Sequence, residues 1–597
     1  MQRSTNFTFN GSISLETYCI QWRDNFKQLE KDLELLKLAK DIPTASNWGV
    51  HFDSLNSQVF EGIYTGEVFK NVHPDKDFQN EGATANDAFQ NLSSRIEKDP
   101  VLAALVQQMT FVDPAVDPHE QRFAERWQSI FKDSGAILPA IERKQLLEID
   151  RHLANLRTQF SSNIINAQRK WQVPLSDLEG MPDDFLKSHP ADEGGHVTLT
   201  TQYMDFCRTL TYCKTDKVRQ KIWSEYCARC PGRLTLKGLD NVNQFIDEAI
   251  AIAKPCALQE KKVRAQVYGA NNLKVWQSDY AKEILSQHHA GFDSSQIRPY
   301  LRVGNVLPQI VLLIQELFGV QFHHRPDVKA WTETGLHPRE NKLDHACVDV
   351  VRKSYGKGNL PEVVLLANVP EGNDSLLTFN EVSTLYHELC ALSHRYGHVI
   401  HALCASTSVY GQLNNLTVER DFVEAPPEIL RRLAINKDGQ VIPDDLIKKL
   451  CNSVHGDEVM FASEQISFAK AKDMIDGRYP GSPLDDWKDV LQDNHAFGYE
   501  EGDLFLASFP HLGQAGYGPK YYCYVYALAI RDEFFEAFKA APGGLLDKEM
   551  SRRYRRIILE PGSSRDAFEM ITEFLGRPFT IDAFKARISK KIDVGTP

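Results

Sequence analysis

Glu381–Leu430 reads EVSTLYHELCALSHRYGHVIHALCASTSVYGQLNNLTVERDFVEAPPEIL, and its histidines decide how the whole chain is read. His387, His394, His398 and His401 fall within fifteen residues. Neutral imidazole is a common zinc ligand, and histidines four apart on a helix present their rings on one face. His394 and His398 have that spacing. His387 is followed by Glu388, the pair that opens an HExxH motif, yet Ala391 stands where the second histidine belongs. The motif is therefore split, with HE at 387–388 and its final histidine at 398, behind Tyr396-Gly397. A histidine-rich face can equally be a polar patch with satisfied rings. The acidic cluster Glu419, Asp421 and Glu424 follows at a distance that suits a second ligand-bearing helix, and this shifts the balance towards metal.

Around this segment the composition is that of an ordinary globular protein, 42% hydrophobic and 25% charged over 597 residues. At roughly 100–200 residues per domain the length suggests three or four units, or one large helical assembly of two lobes. A net charge of −12, with no basic block, argues against a nucleic-acid partner. No run of eighteen apolar residues predicts a membrane span. Met1–Leu15 is polar and resembles neither a signal peptide nor a mitochondrial leader, so the expected location is the cytoplasm. The eleven cysteines read as reduced thiols. Cys227 and Cys230 form a lone CxxC without the two further ligands that a zinc site needs.

Apolar spacings of three and four predict helices over Leu15–Lys40, Thr84–Lys98, Val101–Val112, Pro118–Phe131, Glu142–Trp171, Lys217–Cys230 and Asp240–Ala253. Pro174, Pro182 and Pro190 mark a connector near 174–196. The best strand signal is Glu362–Ala367, EVVLLA. The fold class expected is mainly α: two helical lobes flanking a deep channel, with a small β-sheet near the motif helix. Residues 1–200 form an N-terminal helical region and 201–597 the catalytic region, the lobes interleaving in sequence. Downstream, His511–Tyr526 reads HLGQAGYGPKYYCYVY. Tyr517, Tyr521 and Tyr524 would align on a helix, and a phenol can donate to negative charge developing on a substrate oxygen. The commoner reading of such a stretch is a glycine loop followed by an aromatic packing stripe.

At these residues the chain resembles the thimet oligopeptidase, neurolysin and saccharolysin family of zinc metallopeptidases. The matching pieces are Thr384–Glu388 (TLYHE), Tyr396–Cys404 (YGHVIHALC), Asp421–Pro426 (DFVEAP) and His511–Tyr524. Leu336–Ala346 (LHPRENKLDHA), Leu559–Pro578 (LEPGSSRDAFEMITEFLGRP) and Leu153–Asn163 extend the likeness over essentially the whole chain. The resemblance implies a monomeric peptidase that cuts short peptides with one zinc ion. It implies His387, His398 and Glu424 as ligands and Glu388 as general base on the zinc-bound water. Tyr517 and Tyr524 look like the family's carbonyl-binding tyrosines, and His511 like a histidine lining the same site.

Deleting Leu389–Arg395 would give HEYGH, the family motif intact. In a continuous helix His387 and His398 stand roughly 16 Å apart along the axis and cannot share a zinc. Two geometries follow. In the expected one the helix continues, His394 and His398 become the pair, and Arg395 occupies the base position; the protein would bind metal but hardly cut. In the other, the insert leaves the helix and the half-motifs meet. Between Trp331 and Leu336, and after Pro427, the chain also looks shorter than the family pattern.

Overall fold

The computed structural model describes residues 13–39, 42–110, 117–229, 243–324, 342, 347–355, 360–370, 372–389, 398–414, 440–454, 457–475, 483–509 and 521–589. Four of the first five helices start where a side chain or a proline favours it. The five are α1 (Leu15–Lys37), α2 (Val50–Val72), α3 (Lys76–Glu97), α4 (Pro100–Gln108) and α5 (Pro118–Asp133). Ser14 caps α1, and Asp75 caps α3 by accepting the Asp77 N–H. Asp99 and Asp117 cap α4 and α5, whose first residue is proline in each case. These helices enclose a core that includes Trp22, Phe52, Phe89, Phe123 and Trp127.

Within that bundle α2 and α3 approach at two glycines. A Cβ on Gly66 would lie 2.8 Å from the Gly82 carbonyl oxygen, and one on Gly82 would lie 2.8 Å from that of Gly66. No side chain fits there, so the helices pack backbone to backbone.

Helix α6 (Ala140–Asn166) is followed by strand β1 (Lys170–Pro174), α7 (Asp183–Ser188), β2 (His196–Thr200), α8 (Tyr203–Tyr212) and α9 (Asp216–Cys227). Trp171, expected at the end of the long helix, lies instead in β1, paired with Leu199 of the antiparallel β2. The connector expected near 174–196 thus carries a short helix between two paired strands. Then come α10 (Asn243–Tyr268), α11 (Ser278–Ala290) and α12 (Val303–Phe318). Helix α10 runs through Pro255, longer than expected. Strand β3 (Cys347–Arg352) pairs antiparallel with β4 (Glu362–Leu366), the strand expected from EVVLL.

The motif region supplies α13 (Phe379–Leu389) and α14 (His398–Cys404). The remaining described helices are α15 (Asp444–Val454), α16 (Asp457–Ile475), α17 (Pro483–Asn494), α18 (Cys523–Lys539), α19 (Lys548–Tyr554), α20 (Ala567–Leu575) and α21 (Asp582–Ile588). The fold is therefore mainly helical with two small antiparallel sheets. A second large core joins α12–α14 to α18–α20 through Val306, Leu385, Ile400, Ile530, Tyr554 and Phe574.

The segment after α14 ties the two cores together. Tyr410 and Leu413 belong to the N-terminal core, and the Tyr410 ring stacks on Phe123 with centroids 4.4 Å apart. The buried Asp53 carboxylate on α2 accepts the N–H groups of Gly411 (2.6 Å) and Gln412 (2.9 Å). The Leu413 carbonyl accepts the Ser563 N–H at 3.0 Å. The helix that carries His398 is thus continuous with a segment bound to the N-terminal bundle. Among the described residues no helix is long and apolar enough to cross a membrane.

The close approach of α2 and α3 has a direct test. Gly66→Ala must push the helices apart, and overpacking of this kind costs about 1–3 kcal/mol. The denaturation midpoint of the variant is expected to fall; an unchanged or higher midpoint would contradict the contact.

Candidate active site

Helix α13 begins with a capping box. The Thr378 hydroxyl accepts the Glu381 N–H (3.2 Å), and the Glu381 carboxylate accepts the Thr378 N–H (2.7 Å). Val382, Leu385 and Tyr386 turn into the second core. Glu388 is 4% exposed, so bulk water has little access to its carboxylate. His387 precedes it on the same helix. Helix α14 opens at His398 and buries Ile400, His401 and Cys404.

The two helices pack against each other, with Cα atoms within 8 Å across the pair. A continuous helix would hold Leu389 and His398, the nearest of these residues, about 13 Å apart. The single rod expected through the insert is therefore corrected: α13 and α14 are separate helices lying side by side. The physical reason is the shared core. Leu385 and Ile400 are each at most 1% exposed, and both belong to one buried cluster.

His394, Glu424, His511 and Tyr517 lie outside the described residues, as do Glu419, Asp421, Cys230 and the two segments expected to be short. The side chains of His387 and His398 lie outside the description as well. Among the described residues no three His, Cys, Asp or Glu side chains converge on a metal position. Cys227 is a free thiol whose pKa burial raises.

Tyr524 sits in the first turn of α18 and is 4% exposed. Its ring meets Tyr521 edge to face at 4.5 Å. The Tyr521 hydroxyl pairs with Gln465 of α16 at 3.0 Å. Because α18 starts only at Cys523, Tyr521 precedes the helix and does not share a helical face with Tyr524. Tyr521 is a packing residue, as the commoner reading of that stretch had it.

Two features of the site were given no role from the sequence. One is the capping box, legible as Thr378-Phe-Asn-Glu381. The other is His401, 5% exposed on α14, whose Nε2 makes no hydrogen bond among the described residues. Burial lowers its imidazole from 6.5 to about 4, so it is neutral at physiological pH.

A mainly helical protein with HE on one helix and a histidine opening the helix packed against it has the local parts of a metallopeptidase centre. The comparisons agree with that class. The description of peptidase family M3 matches residues 237–590, more than half of the chain, and the chain belongs to that family. It is 24% identical to the thimet-like oligopeptidase of Dictyostelium discoideum, covering 94% of this chain and 96% of that one. It is 22% identical to oligopeptidase A of Escherichia coli, over 76% and 79% of the two chains. It is 21% identical to human mitochondrial intermediate peptidase, over 95% and 87%. Among solved structures, PZ peptidase A with an inhibitor superposes with a TM-score of 0.51 at 10% identity, covering 95% of each chain, a likeness of fold alone.

His401 carries a pH prediction. The folded imidazole titrates near 4 and the free one near 6.5. Between those values the unfolded chain binds the extra proton, so stability is lost as pH falls through this window, by about 3 kcal/mol in all. The drop in denaturation midpoint from pH 7 to pH 5 is expected to shrink in His401→Leu. An equal drop in both proteins would contradict the burial.

Proposed function

We propose that this chain is a zinc-dependent endopeptidase acting on short peptides. The observation that carries the reading is the packing of α13, which bears the HE half-motif, on α14, which opens with His398. Family membership and the oligopeptidase relatives support peptide hydrolysis. The donor set suits zinc, since two neutral imidazoles and one carboxylate leave a fourth position open. His387, His398 and Glu424 would hold the ion. His394 is the alternative to His387, and the side-by-side helices favour His387.

When bound, zinc supplies a water acidified to a pKa of about 7 and polarises the scissile carbonyl. Glu388 takes up the water's proton at a carboxylate oxygen and passes it to the leaving amine. Its burial keeps bulk water from competing for that proton. Tyr517, Tyr524 and His511 would donate hydrogen bonds to the substrate oxygen that becomes negative. The substrates in this reading are peptides short enough for a channel between two helical lobes. The cytoplasm and a monomeric state belong to the same reading, in accord with the free thiols among the described cysteines.

The test measures zinc content and hydrolysis of a quenched peptide by the full chain, by the chain without Leu389–Arg395, and by Glu388→Gln. The full chain is expected to hold zinc and cut. Glu388→Gln is expected to keep zinc while losing about 10²–10⁴-fold in rate. If the full chain holds zinc without cutting and only the deletion variant cuts, the protein is a silent relative that binds metal or peptide. If none of the three holds zinc or cuts, the proposal is wrong.

A further inference from the structure

Four charged side chains from four elements meet at the N-terminus of α13. Arg208 of α8 donates from one guanidinium nitrogen to Glu381 (2.8 Å) and from another to Asp184 of α7 (3.2 Å). Arg298 grips both Asp184 carboxylate oxygens, at 2.9 and 2.6 Å. It also donates to the Leu376 carbonyl at 2.9 Å, two residues before the helix cap. The side chains of Arg208, Arg298 and Glu381 are 8, 7 and 10% exposed. Two cations and two anions cancel, which lets the cluster stay ionised out of water. Burial would raise the Asp184 carboxyl, but Arg298 and Arg208 outweigh it and hold it low.

The cluster acts on the cap itself. Glu381 is the acidic member of the box with Thr378, so Arg208 binds one carboxylate oxygen while the other satisfies the first orphan N–H of the helix. The approach to the cap is held in parallel. The Leu377 N–H reaches the Leu301 carbonyl at 2.7 Å, and the Val303 and Gly304 N–H groups reach Ser375 and Asn373 at 3.0 Å each. From Glu381 to Glu388 is seven residues, two turns, so the carboxylates share a face about 10 Å apart. A helix fixed in rotation and height at Glu381 is fixed at Glu388.

We propose that Arg208, acting through Glu381, is a positioning residue for Glu388: it sets the rotation and axial height of the helix that presents the HE half-motif. Its part in hydrolysis rests on the zinc-peptidase reading; its hold on α13 does not. Arg208 needs its planar fork, because one point charge cannot serve Glu381 and Asp184 in the same geometry. A misplaced Glu388 slows proton transfer while leaving distant substrate contacts intact, so the loss falls on kcat.

The experiment compares the full-length protein with Arg208→Met, Arg208→Lys and Glu381→Gln, by peptide hydrolysis and by amide hydrogen exchange along 379–389. For Arg208→Met, kcat is expected to fall between about tenfold and a hundredfold, with KM within about twofold. Exchange in α13 is expected to quicken while exchange in α12 stays the same. Arg208→Lys is expected to recover part of both, which loss of packing alone does not predict. If Arg208→Met fails to fold, Glu381→Gln keeps the shape of the pair and decides alone. Normal kcat with unchanged α13 exchange in a folded variant would overturn the proposal. If the unaltered protein cuts no peptide, the peptidase reading fails and exchange alone decides: lost protection in α13 upholds the clamp, retained protection refutes it.

Discussion

The contact between α13 and α14 is the constraint on which the rest of the site depends. Each helix is short, eleven and seven residues, and neither would persist alone in water. They are stable because their apolar faces enter one core with α12 and α18–α20. That burial is at odds with a continuous helix through Leu389–Arg395, which would carry His398 far from His387. Hydrophobic burial of Leu385 and Ile400 is worth about 1.5–3 kcal/mol per side chain.

The two ends of this helix pair are anchored differently. At the start of α13 the anchor is ionic: Arg208, Arg298 and Glu381, all largely buried, with the partly exposed Asp184, two cations against two anions. Beyond α14 it is a mixture of backbone bonds and ring stacking, with Asp53 holding Gly411 and Gln412 and Tyr410 against Phe123. Charges suit the first position because they fix direction and register; an aromatic stack with backbone bonds suits the second, where a chain segment enters another core. Together they hold a helix pair that contributes little regular structure of its own.

Much of this fold was legible in the sequence, for reasons that can be named. Pro100 reads as the break before a helix and Pro118 as a helix start, and the helices begin at these prolines. The β-branched run in Glu362–Leu366 forms a strand. Trp171 was misread because the apolar rhythm of the preceding helix continues past Ala167, where the helix ends, into a strand whose partner for Trp171 is Leu199. The HE and His398 halves were visible as letters. Their mutual approach was not, since helical continuity is a local expectation and the shared core that defeats it is built from residues up to Phe574. Arg208 carried no local signal either, because its partners lie at 184 and 381.

We propose that His387, and not His394, joins His398 at the metal. Zinc content of His387→Ala and His394→Ala in the full-length chain tests it most directly. The packing of α13 on α14 predicts that His387→Ala purifies without zinc while His394→Ala retains it. Zinc retained by His387→Ala and lost from His394→Ala would contradict the account.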